Sequence, residues 1–431
     1  MSNKKYHLET QALHAGQSPD PTTGARGIPV YRTSSYVFDN TEHAANLFAL
    51  KELGNIYTRI MNPTQDILEK RVAEMEGGAA GLALASGTSA IFYSIINLCR
   101  AGEEIVSANN LYGGSYTMFD SILPQFNINV KLVDHDKPEA FEAAITDKTR
   151  AIYAETIGNP VLGVTDIEAL SEIANKHHLP LIIDSTFTTP YLLNPIEHGA
   201  DIVVHSLTKW LGGHGAGIGG VVVDSGRFDW TDSKFSLYNE PDHSYHGVRY
   251  AHDLGDLNPL AFILRMRLVP LRNLGACISP DNAWMFLQGI ETLHLRMQRH
   301  CENALAIAEF LRGHRHVSWV RYPGLEEDPA YTTARTYLKK GFGGMVVFGV
   351  KGGYDAAVKV INSIELFSHL ANVGDAKSLI LHPSSTSHSQ LSEEQQAAGG
   401  LTPELIRLSI GIENKDDLVA ALDEALNAAH R

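Results

Sequence analysis

From about residue 61 to residue 225 the chain alternates strand-like and helix-like runs, and few folds accept that pattern. ILEKRVAEMEG and TSAIFYSIINL have helical spacing, with the strand-like GLALA between them. EEIVSAN and NVKLVD then read as strands, FEAAI as a helix, RAIYAET as a strand, IEALSEIANKH as a helix, and PLIID and DIVVHS as strands. Interleaving of this kind implies an α/β fold, a mostly parallel sheet covered on both faces.

The flanks are different. Residues 1–60 are polar and broken by Gly and Pro, and read as an extended arm. Residues 226–280 are aromatic and irregular (FDWTDSKFSLYNEPDHSYHGVRY) and read as an insertion or lid on a domain spanning 61–280. A long helix is expected from near Pro280, and residues 281–431 mix strands such as GGMVVFGV with helices such as YDAAVKVINSI and KDDLVAALDEALNAA. That last part reads as a smaller C-terminal α+β domain.

At 431 residues and 44% hydrophobic the chain can bury a large core. A net charge of −14 argues against nucleic acid or an anionic membrane as partner. Cys99, Cys277 and Cys301 are widely spaced, which favours neither a disulfide framework nor a thiolate metal site. No histidine pair has zinc-site spacing beside a carboxylate, so no metal is expected. The start MSNKKYHLET has no apolar h-region and no run reaches transmembrane length, which points to a cytoplasmic protein.

Three places carry chemistry. In IVVHSLTKWLGGHGAGIGG an apolar strand ends in the hydroxyls of Ser206 and Thr208, and Lys209 follows at once. Hydroxyls that hold a phosphate beside an amine that forms a Schiff base are what pyridoxal phosphate asks of a protein. Upstream, LPLIIDSTF delivers Asp184 at a strand's carboxyl end, where α/β sheets place ligands. A carboxylate there can keep a pyridine nitrogen protonated, although an Asp after a strand is often only a helix cap. Third, Ser86-Gly87-Thr88 turns a small-residue strand into an apolar helix whose free N–H groups favour a phosphate. No lysine follows Gly87, so this is not a P-loop.

Seven motifs in order, YTRIMNPT (57–64), ASGTSAI (85–91), NNLYGGSY (109–116), ETIGNP (155–160), IIDSTF (182–187), HSLTKWLGGHG (205–215) and IRLSIGIE (406–413), resemble the Cys/Met-metabolism enzymes of PLP fold type I, the cystathionine γ-synthase relatives, over nearly the whole length. The resemblance implies that Lys209 holds the cofactor and later moves protons, and that Asp184 pairs with the ring nitrogen. It implies phosphate binding by Gly87, Thr88, Ser206 and Thr208, with Tyr57 and Arg59 reaching the phosphate of a neighbouring subunit. Tyr112 would stack on the ring and help with proton transfer, and Asn159 would bond the ring oxygen. Arg407 would clamp the substrate carboxylate, assisted by Ser378. Shared sites imply a dimer, and closed symmetry favours a tetramer made of two.

Within the family the chain is most similar to the sulfhydrylase branch. Methionine γ-lyases usually carry a cysteine where Gly114 stands, and the cystathionine-handling members resemble S-L-G-G-x-E-S-L where this chain has NVGDAKSL, with Lys377 in place of the glutamate. The run ILHPSSTSHSQL (380–391) and the insertion also resemble the sulfhydrylases. The reaction implied is γ-replacement on O-acetylhomoserine by sulfide or another sulfur donor, giving homocysteine and acetate. The alternatives are an O-succinylhomoserine sulfhydrylase or cystathionine γ-synthase, and a γ-lyase. A dinucleotide dehydrogenase is suggested only by Gly213, Gly215, Gly217 and Gly219, which follow a lysine deep in the chain instead of opening a first βα unit. A catalytically silent cofactor-binding protein is disfavoured by the joint presence of Lys209, Asp184, Tyr112 and Arg407.

Overall fold

The computed structural model describes residues 6–386, 389, 396 and 400–431. All six strands expected between residues 61 and 225 are present: β1 (Ala80–Leu84), β2 (Glu104–Ala108), β3 (Asn129–Val133), β4 (Thr149–Glu155), β5 (Leu181–Asp184) and β6 (Ile202–Ser206). A seventh, β7 (Gly220–Asp224), follows the glycine run, where no strand is expected from the sequence. The order is β1-β7-β6-β5-β4-β2-β3. Strands β2 to β6 pair in parallel, and β7 is inserted antiparallel to both β1 and β6. Ile202, Val203 and Val204 are all out of water, as a strand covered on both faces requires.

Four helices lead up to and into the sheet: α1 (Leu8–His14), α2 (Thr41–Phe48), α3 (Pro63–Glu76) and α4 (Gly87–Ile96). Helix α3 starts at the Asn62 cap with Pro63 in its first turn and stops at Gly77, whose φ of 71° is left-handed. Helix α4 is capped by Ser86 and packs on β6 and β7. Residues 1–60 are therefore not wholly extended, since α1 and α2 lie within them. Both helices are too short to show a clear period. The buried Arg71 of α3 ties the first to the body, donating to Ala15 O (3.1 Å) and Gln17 Oε1 (2.9 Å).

The aromatic segment 226–280, read from the sequence as an insertion or lid, sends many of its rings into the core. Trp230 stacks on Tyr238 (centroids 4.5 Å apart, 18° between planes) and on Phe262 (5.5 Å, 16°), and Phe235 meets Trp230 edge-on. Such pairs contribute about 0.5–1.5 kcal/mol each beyond their burial. The Tyr238 hydroxyl also donates to Asn97 O at the end of α4.

The helical run from Pro280 is two helices, Pro280–Glu291 and Leu293–Gly313, broken at Thr292. The C-terminal sheet has the order β10-β11-β12-β9-β8, built from β8 (Val317–Arg321), β9 (Met345–Val350), β10 (Ser368–His369), β11 (Leu379–Leu381) and β12 (Leu405–Ser409). It has its own core, with Ile307, Leu311, Phe348, Ile406, Leu418 and Leu422 among its members. Residues 387, 388, 390 and 391 of the ILHPSSTSHSQL run lie outside the described residues. Among the described residues no helix is long and apolar enough to cross a membrane, and the three cysteines are free.

Candidate active site

The site is assembled at the carboxyl ends of β1, β2, β4, β5 and β6, with Arg407 added from β12 and Asn372 from the loop between β10 and β11. At one end Ser86 caps α4 by accepting the Ser89 N–H (3.0 Å), leaving the first-turn N–H groups of Gly87 and Thr88 for an outside acceptor. A Cβ on Gly87 would lie 2.7 Å from Ser206 Cβ, so glycine is what lets the end of β6 meet the start of α4. The Ser206 N–H is held by Thr186 Oγ1 (2.8 Å), and its hydroxyl has no partner among the described residues. The Thr208 hydroxyl is occupied by the backbone of Gly219, accepting its N–H (3.1 Å) and donating to its carbonyl (3.3 Å). First-turn N–H groups beside the unengaged Ser206 hydroxyl make an anion cradle.

At the other end lie two carboxylates that pair with no lysine or arginine among the described residues. Asp184 Oδ1 accepts the Thr186 N–H (2.9 Å), and Glu155 Oε1 accepts the Tyr112 N–H (2.8 Å). Burial raises the pKa of both, and for Glu155 the nearby Asp184 adds to the rise. Against its own rise Asp184 has the Thr186 bonds, the field of His205 and the Tyr153 hydroxyl.

Lys209 and Arg407 form the cationic side. Lys209 Nζ donates to Asn372 Oδ1 (2.5 Å). Burial, and then the charge of Arg407, push this amine down to about 8. Arg407 is 6% exposed and donates to Asn159 Oδ1 (3.1 Å), with Asn372 O at the long limit of 3.5 Å. Burial brings its pKa down to about 10. No carboxylate answers this guanidinium among the described residues. A buried fork-shaped cation with only amide partners is suited to a carboxylate arriving from outside. The Tyr112 phenol lies near Arg407. Its ring also explains Gly114, where a Cβ would fall 2.5 Å from Tyr112 Cε1.

The structure thus brings together Gly87, Thr88, Tyr112, Asn159, Asp184, Ser206, Thr208, Lys209 and Arg407. Ser378 is a correction. Its hydroxyl donates to Glu413 Oε2 (2.9 Å) and accepts the Gly411 N–H (2.8 Å), and its N–H goes to Glu413 Oε1 (2.6 Å). With all its groups committed it cannot assist Arg407. Asn372, at the other end of the same NVGDAKSL stretch, stands beside Arg407 instead. Glu155 is a second residue not singled out from the sequence, although it opens the ETIGNP motif. Tyr57 and Arg59 are exposed, with the Arg59 guanidinium 5.3 Å from the Tyr57 ring centre. No contact joins them to Gly87, Ser206 or Lys209 of their own chain among the described residues. Elsewhere, Asp134, His135 and Asp136 place three ligand-type atoms within 4.8 Å of one another, with Lys137 paired to Asp134.

The groups present fit pyridoxal phosphate on the chain's own chemistry. The anion cradle suits the phosphate, the unpaired Asp184–Glu155 pair suits a protonated ring nitrogen, and an amine of lowered pKa suits attachment. Comparisons with known proteins agree. Residues 9–427 match the model of the Cys/Met metabolism PLP-dependent enzyme family. The chain is 54% identical to an O-acetyl-L-homoserine sulfhydrylase of Leptospira meyeri, covering 98% of this chain and 97% of that protein. It is 48% identical to a homocysteine synthase of Schizosaccharomyces pombe over 98% and 99% of the two chains. A crystal structure from Campylobacter jejuni, provisionally named an O-acetylhomoserine (thiol)-lyase and containing a pyridoxyl-lysine phosphate, superposes with a TM-score of 0.95 at 41% identity, covering 98% of this chain and 100% of that one.

The electrostatics can be read directly in the cofactor-free protein. With a pKa of about 8, Lys209 is neutral in roughly one molecule in ten at pH 7, far more than an ordinary lysine. Its acylation by acetic anhydride, followed by peptide mass spectrometry, should titrate with a midpoint near pH 8, and Arg407→Gln should move that midpoint upward. A midpoint at the value of a solvent-exposed lysine would contradict the geometry.

Proposed function

The chain belongs to the Cys/Met metabolism PLP-dependent enzymes, and from that premise we propose that it converts O-acetylhomoserine and a sulfide donor to homocysteine and acetate. The observation that carries this reading is Arg407, buried, without a carboxylate partner, and beside the amine of Lys209. A guanidinium of that kind recognises the α-carboxylate of an amino acid, and the neighbouring amine is then poised over its α carbon. In the net reaction the Cγ–O bond breaks with acetate as the leaving group, and sulfide forms the new Cγ–S bond.

Pyridoxal phosphate, when bound, supplies the electron withdrawal that makes protons of the amino acid removable. The residues divide the remaining work. Gly87 and Thr88 through N–H groups, and Ser206 through its hydroxyl, would hold the phosphate, and Thr208 would join them by turning its hydroxyl away from the Gly219 carbonyl. Asp184 would set its charge against the ring nitrogen, and Glu155 holds the backbone of Tyr112, whose phenol ring would stack on the cofactor. Asn159 orients Arg407 and would bond the cofactor's ring oxygen. Lys209 Nζ takes the α proton and returns protons later, and Asn372 Oδ1 holds that amine when it is free.

The division into residues 1–60 as an arm, 61–280 as the cofactor domain and 281–431 as the C-terminal domain belongs to the same reading. So do a homotetramer of dimers with shared sites and a cytoplasmic location, which the free cysteines and acidic surface favour. Exposed Tyr57 and Arg59, without a contact to their own chain's cradle among the described residues, favour the sharing.

Purified protein supplied with O-acetylhomoserine and sulfide should release homocysteine and acetate, with O-succinylhomoserine a poorer substrate and cysteine or methanethiol as competing donors. Release of 2-oxobutanoate from methionine or cystathionine without sulfide, at a higher rate than replacement, would favour the γ-lyase reading instead. Mixing inactive Arg59→Ala chains with inactive Lys209→Ala chains should restore activity, because one site of a mixed dimer regains both groups. A lack of rescue despite proven subunit exchange would refute shared sites.

A further inference from the structure

Arg296, on the helix Leu293–Gly313, is 5% exposed and has no ion pair among the described residues. All its hydrogen bonds go to neutral oxygens. Nη1 donates to Trp210 O (2.7 Å), Nη2 to Gly289 O (2.7 Å) and Leu211 O (3.3 Å), and Nε to Thr292 Oγ1 (3.2 Å). Keeping a guanidinium out of water without a counter-charge is costly, so its hydrogen bonds must serve something that depends on them.

What they hold is the turn that follows β6. Gly212 N–H closes on Leu207 O (3.0 Å) and Gly213 N–H on Lys209 O (2.7 Å), and the turn then stops because Gly213 is left-handed at φ 72°. The carbonyls of Trp210 and Leu211 sit at its carboxyl end, where no later N–H comes back to meet them. Arg296 supplies the missing donors. The room for it is made by glycine. A Cβ on Gly213 would lie 2.1 Å from Arg296 Nη1, and one on Gly289 would lie 2.2 Å from Gly212 O. The same guanidinium bridges the break between the two helices by holding Gly289 O and Thr292 Oγ1.

We infer that Arg296 is a positioning residue for Lys209, capping the turn that carries this lysine and so fixing where its amine lies. It acts through the backbone of Trp210 and Leu211 and does not touch the amine. The inference rests on the reading of Lys209 as the reactive lysine. Lysine cannot substitute for Arg296, because a single ammonium nitrogen cannot span carbonyls on two separate segments as a planar fork does.

The test compares Arg296→Met, Arg296→Lys and Lys209→Ala with Ile307→Ala, a fully buried truncation on the same helix that lowers stability without reaching the turn. Two properties are read: kcat and KM with O-acetylhomoserine and sulfide, and the rate of Lys209 acylation in the cofactor-free protein. Both Arg296 variants should lose on the order of 10-fold or more in kcat with KM within about 3-fold, as expected when a reacting group is misplaced but substrate contacts remain. Their Lys209 acylation rate should also depart from wild type, whereas Ile307→Ala should keep both properties despite a lower melting temperature. If Arg296→Met does not fold, Arg296→Lys decides by the same two readings. Arg296 variants that match Ile307→Ala in kcat and wild type in acylation would overturn the inference. Turnover retained by Lys209→Ala would instead overturn the reading of Lys209, and the inference with it.

Discussion

Desolvation of four ionisable groups governs this molecule. Lys209 and Arg407 lie on one side of the site and Asp184 and Glu155 on the other, and neither pair neutralises the other. Unpaired charge in a low-dielectric interior is expensive, and it persists only where a rigid scaffold holds it for a ligand that completes it. A ring cation complements the two carboxylates, a bound amino acid's carboxylate complements Arg407, and a phosphate complements the cradle of Gly87, Thr88 and Ser206. The site therefore prescribes its occupants by charge before any shape is considered.

Rigidity comes from several close backbone approaches at the carboxyl edge of the sheet. Gly220 lies against Ser86 O, where a Cβ would come within 2.2 Å, and Gly87 lies against Ser206. These contacts fix the start of α4, the end of β6 and the start of β7 relative to one another. The turn behind Lys209 is closed by Arg296 from a different helix, so the lysine is anchored from the second layer of the fold as well as from its own strand. Arg407 is brought in from β12 of the C-terminal sheet, which makes the site a junction between two cores.

Much of this was legible in the sequence because it is local. The six expected strands are short apolar runs, and Lys209 and Asp184 sit directly at the ends of two of them, where topology alone gives them meaning. Strand β7 was hidden by the glycines before it, and α1 and α2 are too short for their period to stand out. The aromatic segment 226–280 looked irregular because its order comes from rings stacking across distant positions, as Trp230 does on Phe262. The break at Thr292 has no proline to announce it and is bridged by Arg296 through Gly289 O and Thr292 Oγ1. Ser378 and Asn372 lie six positions apart in one stretch, and only the fold shows that the serine is spent on Glu413 while the asparagine faces the amine.

The most direct measurement is reduction of the cofactor-loaded protein with borohydride, followed by peptide mapping of the pyridoxyl group. The account requires that group on Lys209, at about one per chain. A pyridoxyl group on any other lysine, or none retained after reduction, would contradict it.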